Sequence, residues 1–308
     1  MIITLGTTPT VQKTLTFNRV TIDAVNRATS VHHHASGKAI NVARVLRVLG
    51  EPCLALGFVG GDPGKFIRHD LSTLNIQHDF VEVEPPTRTC TTLLDRENET
   101  ATELVEEAAD VPVDAYETLF NKLRQQLTNA KVLVLAGTLT PNAPADFYGR
   151  CVQAAVEAKV PVILDAKGPP LEKALGRKPT VIKPNLGELE HTVGRALESQ
   201  EAVRSAVREL IALGPQWAVI TAGSKPTVVS DGKQFWTITG PKLNALNPIG
   251  SGDSFNAGLA AGVARGQSML ESARLGMACG AANALTQFAG HVKLEDVQRL
   301  LDQIHVSE

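Results

Sequence analysis

Cysteine, aromatic residues, unbalanced charge and long apolar runs are all scarce in this chain, and each scarcity closes off a class of protein. Cys53, Cys90, Cys151 and Cys279 stand far apart and form no ligand-like pair, so free thiols in a reducing cytoplasm are expected rather than a zinc ribbon or a disulfide scaffold. Thirty basic against 32 acidic residues leave a formal net charge of −2. That gives no electrostatic case for nucleic acid or a membrane surface as partner. No apolar run approaches the roughly 20 residues that span a bilayer. Met1-Ile2-Ile3-Thr4-Leu5-Gly6 reads as a first buried strand, without the basic and long apolar regions of a secretory signal. No internal repeat and no linker rich in Gly, Pro and Ser divides the chain. With 43% hydrophobic residues, one globular domain over residues 1–308 is expected.

Short β-branched runs alternate with amphipathic stretches, which predicts an α/β fold with a mostly parallel central sheet. The strand candidates are Cys53–Val59, Val132–Ala136, Val160–Asp165, Thr180–Lys183 and Trp217–Thr221. Helices are predicted over Ile40–Leu49, Ala115–Leu127, Ala143–Ala158, Glu201–Leu213, Ser254–Arg265, Met269–Phe288 and Leu294–Ile304. Residues 14–34 and 88–107 break the alternation. They read as period-two strands without crossover helices, hence as a small antiparallel sheet projecting from the main layer.

The most informative stretch is Asn247-Pro248-Ile249-Gly250-Ser251-Gly252-Asp253-Ser254-Phe255-Asn256-Ala257-Gly258. Peptide N–H groups in a Gly-x-Gly turn can converge on an anion, and the helix that follows points its positive end at the same spot. Asp253 is placed to take a proton from a hydroxyl that attacks a phosphate. The plain alternative is a capped helix start. A second helix start, Ser36-Gly37-Lys38-Ala39-Ile40-Asn41, offers a cation and an amide suited to a sugar or phosphate. In Lys183-Pro184-Asn185-Leu186-Gly187-Glu188 a strand ends at the sheet edge where α/β folds bind ligands. Asn185 and Glu188 share a helix face there, able to hold a hydrated Mg²⁺ or to form a capping box. Gly57–Lys65 fails as a P-loop, because Val59 stands at the first required glycine and Phe66 follows the lysine. His32-His33-His34 cannot all ligate one ion, since neighbours on a strand point to opposite faces.

These motifs resemble those of the ribokinase-like (PfkB) carbohydrate kinases, whose C-terminal signature reads Gly-x-Gly-Asp-Ser/Thr/Ala-Phe-x-Ala-Gly. Their Lys-Pro-Asn-x-x-Glu element is matched at Lys183–Glu188, and the resemblance runs from Ile2 to about Leu300. It implies a three-layer α/β/α fold with a β-lid that doubles as a homodimer interface. It also implies ATP and Mg²⁺ as cofactors, with a monovalent cation near Asp253 as a further option. Thr221, Gly223 and Ser224 correspond to the nucleotide loop, and Asn283 to the helix lining the adenine pocket; Lys183 and Asn185 join the ATP site and Glu188 the metal. Val25-Asn26-Arg27, Thr87-Arg88 and Leu135–Pro141 are similar to the 1-phosphofructokinase and tagatose-6-phosphate kinase subgroup. The best reading is therefore a kinase converting fructose 1-phosphate to fructose 1,6-bisphosphate. Arg27, Lys38 and Arg88 are the cations for the substrate phosphate, and Gln12, Gly37, Asn41 and Asp253 its other contacts. Asp253 is the base, kept ionised by the helix dipole, and the N–H groups of Gly250, Ser251 and Gly252 hold the moving phosphoryl group. Gln12 replaces the family's aspartate, while Ser36, Ala39 and Pro226 stand where glycines are common. Those four departures leave open a second class, a sugar-phosphate-binding protein with little kinase activity. A nicotinamide oxidoreductase is disfavoured, because no Gly-x-Gly-x-x-Gly follows the first strand.

Overall fold

The structure, a computed structural model, describes residues 1–308 throughout. Its spine is a ten-stranded sheet. From one edge the strands are Gln77–His78, Cys53–Leu56, Ile2–Leu5, Val132–Ala136, Val162–Asp165, Val181–Ile182 and Trp217–Ala222, all parallel to their neighbours. Three antiparallel strands, Lys225–Ser230, Phe235–Thr239 and His305–Ser307, extend the other edge. Ile2–Leu5, Cys53–Leu56, Val132–Ala136 and Val162–Asp165 are buried at every residue, as strands covered on both faces must be.

The two faces carry separate cores. One packs helices Lys38–Val48, Ser251–Ala264, Met269–Ala284 and Leu294–Leu301 on the sheet, through residues such as Val42, Leu46, Phe255, Ala278 and Leu300. The other packs Val113–Leu127, Phe147–Glu157, Pro169–Leu175 and Gln200–Ala212 through Tyr116, Leu123, Val152, Leu171 and Val207. The result is the three-layer arrangement expected. No helix is long and apolar enough to cross a membrane, and all four cysteines are buried free thiols.

The projecting sheet has four strands in the order Ser30–Ser36, Thr10–Phe17, Thr89–Asp95, Thr100–Val105. It begins at Thr10 rather than at residue 14, and its central pair is parallel, which corrects the expectation of an antiparallel lid. Thr10–Phe17 and Thr89–Asp95 both run outward from the body, so they lie side by side in one direction. The returning strands then pair antiparallel at the edges. Gly61–Thr73 forms a helix that the sequence reading missed, and the helix expected to reach Phe288 stops at Ala284.

Helices Ser251–Ala264 and Met269–Ala284 approach each other through glycines. A Cβ on Gly258 would stand 2.5 Å from the Leu275 carbonyl oxygen, and one on Gly262 2.6 Å from Ser272 Cα. Gly258→Val is expected to destabilise the protein by about 1–3 kcal/mol through overpacking, read as a lowered urea midpoint. Gly176→Ala, in open space at φ −65, serves as the neutral comparison.

Candidate active site

At the start of helix Ser251–Ala264 the chain turns through Gly250 in the left-handed region, at φ 84. A Cβ there would approach the Gly290 nitrogen to 2.6 Å, so glycine is required by conformation and by space. No side chain caps this helix. The Ser251 N–H donates to the Pro248 carbonyl at 3.1 Å, while those of Gly250, Gly252 and Asp253 find no acceptor in the chain. The expected cradle of Gly250, Ser251 and Gly252 is thus corrected: the free donors belong to Gly250, Gly252 and Asp253. The Lys183 ammonium lies beside them, 3.8 Å from where a Gly252 Cβ would stand.

Facing this turn is a buried charge cluster. Asp165 closes strand Val162–Asp165 and is 2% exposed. Its Oδ1 accepts from Lys38 Nζ at 2.8 Å, and its Oδ2 pairs with Lys183 Nζ at 3.1 Å and accepts from Asn256 Nδ2 at 2.5 Å. Burial alone would raise the Asp165 carboxyl, but Lys183 and Lys38 outweigh it and hold it well below the usual carboxylate range. Lys38 is also pulled down by burial, yet Asp165 and then Asp253 leave it above the ordinary lysine value. Asp253 is 7% exposed, and its Oδ2 accepts from Asn41 Nδ2 at 2.7 Å. Burial pushes its carboxyl up to about 6, against the opposing pull of Lys38 and Asn41. Asp253 therefore binds a proton more tightly than an exposed aspartate. A carboxylate with that proton affinity, beside unclaimed N–H donors and two ammonium groups, is equipped for phosphoryl transfer to a hydroxyl.

The model of the pfkB family carbohydrate kinases matches residues 9–294. The chain belongs to that family. A candidate phosphofructokinase from Staphylococcus aureus is 30% identical, with a TM-score of 0.83, over 100% of this chain and 98% of that one. Phosphofructokinase-2 from Escherichia coli, in complex with potassium, is 25% identical with a TM-score of 0.91, over 98% of both chains. A possible 1-phosphofructokinase from Thermotoga maritima shares the fold, with a TM-score of 0.91 at 24% identity over 100% and 99% of the two chains. The architecture is the ribokinase-like α/β fold, and the chain is a pfkB carbohydrate kinase.

Several of the pfkB motif residues meet at this centre. Gly37, at φ 106 and pressed on Pro9, starts the helix carrying Lys38 and Asn41. Asn185 and Glu188 form a complete capping box: Glu188 N–H donates to Asn185 Oδ1 and Asn185 N–H to Glu188 Oε2, each at 2.9 Å. The other Glu188 oxygen accepts no hydrogen bond within the chain, and the Glu188 charge is felt at Lys38. No group of three or more His, Cys, Asp or Glu side chains could hold a metal. A single open carboxylate still fits Mg²⁺, which keeps most of its waters and leans on substrate phosphates. Thr221 bridges to Asn185, and Gly223 and Ser224 form the exposed turn of a tight hairpin. A cavity of about 710 Å³ adjoins Asn185 and Glu188, walled by Thr138, Thr140, Lys167 and His191; Asp253 and Lys38 do not line it.

Other expected residues lie elsewhere or are already engaged. Asn283 is fully buried. Its Nδ2 donates to the Ile249 carbonyl at 2.9 Å and its Oδ1 accepts from Gly290 N–H at 2.8 Å, so it braces the Gly250 turn. Arg88 donates its terminal nitrogens to the carbonyls of Glu106 and Thr8 and ties the lid to the first-strand loop. In this state it is a brace rather than a free phosphate clamp. Arg27 sits exposed on the loop between the first two lid strands, away from the centre and without a hydrogen bond. Gln12 is 2% exposed and donates to Thr92 Oγ1 at 2.8 Å. Asp165 and Asn256 were missed; an aspartate ending an apolar strand at the ligand-binding edge was the available signal.

Removing the Asn41 bond takes away a contact that favours the Asp253 carboxylate. Asn41→Ala should raise the Asp253 value further above 6, followed by carbon NMR titration of the aspartate carboxyls. A downward or absent shift would show that Asn41 does not tune this group.

Proposed function

We propose that this pfkB kinase transfers the terminal phosphoryl group of ATP to a hydroxyl of a phosphorylated ketohexose, with fructose 1-phosphate giving fructose 1,6-bisphosphate as the best candidate. The observation that carries the reading is the buried Asp253 carboxylate beside unclaimed N–H groups and two ammonium groups. Asp253 orients the acceptor hydroxyl and takes its proton as the oxygen–phosphorus bond forms and ADP departs. The N–H groups of Gly250, Gly252 and Asp253 receive the equatorial phosphoryl oxygens, and Lys183 and Lys38 offset the charge that builds on them. Glu188 would hold Mg²⁺, which would supply charge neutralisation on the phosphates. Thr221, Gly223 and Ser224 border the nucleotide. The Thr87-Arg88, Val25-Asn26-Arg27 and Leu135–Pro141 segments support a substrate that already carries a phosphate. ATP and a sugar phosphate as substrates favour a cytoplasmic setting.

We further propose a homodimer through the lid, supported by Ile22 and Val25 at 88% and 82% exposure and by the exposed Val31 and Leu104 on the two edge strands of the same sheet. Ile22→Asp with Val25→Asp should then yield a monomer by analytical ultracentrifugation. A monovalent cation near Asp253 belongs to the same reading, supported by the potassium in the Escherichia coli structure. Replacing potassium by tetramethylammonium should lower turnover.

The deciding test is ADP release with Mg–ATP against fructose 1-phosphate, tagatose 6-phosphate and the free ketoses. Asp253→Asn is expected to retain fold and ATP binding while losing roughly 10²–10⁴ in turnover. Near-full activity of that variant would remove Asp253 as the base.

A further inference from the structure

The His32-His33-His34 run takes no part in phosphoryl transfer, yet it is seated beside the machinery that does. His34 is buried, at 6% exposure, and lies directly across from Gln12 in the lid sheet, while His33 before it is exposed and Ala35 after it is buried. Its ring stands edge-on to His291, 5.0 Å between centroids, and 5.8 Å from Phe288; the His32 ring is 4.7 Å from Phe288. The segment 288–291 also backs the reacting centre. A Cβ on Gly290 would meet Asn41 at 2.7 Å, and Ala289 lies 2.9 Å from where a Gly250 Cβ would stand. Strand Ser30–Ser36 is an edge strand, paired with Thr10–Phe17 alone. It is fastened to the body through Ser36, which donates to Asn41 Oδ1 at 2.9 Å, through Ala35, whose N–H donates to Asp70 Oδ2 at 2.9 Å and whose carbonyl accepts from Arg44 at 2.7 Å, and through these histidines.

We propose that His34, seated against Phe288 and His291, is a positioning residue that latches the lid's edge strand to the loop behind Gly250 and Asn41, and that the latch holds while the imidazoles are neutral. His34 Nε2 is buried without a hydrogen-bond partner, so a proton added there would be an unpaired buried charge. The charged surroundings offer it no relief. Arg44, from helix Lys38–Val48, faces both rings. Asp70, from helix Gly61–Thr73, is already engaged by Arg44 and the Ala35 N–H. His32 and His33 lie on the same strand, and Gln12 opposite is neutral. Burial, then His291 and Arg44, hold His34 down to about 2, and burial with Arg44 holds His291 down to about 4, against an ordinary 6.5. Undocking returns each ring toward its ordinary value, so protons bind the open form preferentially. Docking is at full strength above pH 6.5 and weakens as pH falls from there. Between pH 7.5 and 5.5 the opening constant grows about tenfold for each histidine released.

The latch as a device of substrate closure rests on the kinase reading, but its test does not. Amide hydrogen exchange of residues 30–36 is measured on the full ligand-free chain at pH 7.5 and 5.5, corrected for intrinsic rates. Wild-type protection is expected to fall at least about tenfold on acidification. His34→Phe keeps a ring and removes the charge, so its pH dependence should shrink by about tenfold; His291→Phe should do the same should the first variant fold poorly. Wild-type pH dependence in both folded variants, or none in the wild type, would overturn the latch.

Discussion

One buried carboxylate facing two ammonium groups organises the catalytic end of this molecule. Asp165 comes from the middle of the sheet, Lys38 from the first helix, Lys183 from the end of a neighbouring strand, and Asn256 from the helix that carries Asp253. Burying charge is costly unless it is paired and fully hydrogen-bonded, and here each Asp165 oxygen is claimed. The sum matters as much as the pairing. Two cations against Asp165 leave one positive charge, which the Asp253 carboxylate offsets in the resting site. When Asp253 gains a proton the surplus returns, beside the unclaimed N–H groups of Gly250, Gly252 and Asp253. Proton binding and the local charge are thereby coupled through one cluster.

The sequence displayed its local devices well and its long-range ones poorly. The Gly250–Asp253 turn, the Lys38 helix start and the alternation of strands and helices were legible because each is written in consecutive residues. The Asn185–Glu188 capping box and its open carboxylate oxygen coexist, since one carboxylate can serve a backbone N–H and still present its second oxygen. Asp165 was passed over because its importance lies in partners 127, 18 and 91 residues away. The bracing part of Asn283 was hidden for a related reason, since its amide turns inward to hold the Gly250 turn. The lid's parallel centre was hidden too, because strand direction follows from where each strand leaves the body and not from its own residues.

The departures from the family pattern acquire reasons in the folded chain. Ser36, where a glycine is usual, donates its hydroxyl to Asn41 Oδ1 and so turns the Asn41 amide nitrogen toward Asp253. Ala39 is accommodated because Gly6 faces it; a Cβ at position 6 would lie 2.8 Å from the Ala39 Cβ. Pro226 sits exposed on the hairpin strand beyond the Gly223-Ser224 turn, with room for its ring. Gln12 bonds to Thr92 within the lid, so the amide that replaces the family's aspartate helps to rigidify the lid sheet.

The Asn41–Asp253 contact joins residues 212 positions apart. A ribosome adding about 5–20 residues per second needs on the order of 10–40 s to travel between them. For that whole interval the nascent chain can present its lysine helix and its first strands, but it lacks Asp253 and the Gly250 turn. A truncated or stalled product therefore carries Asn41 without the carboxylate its amide is built to meet.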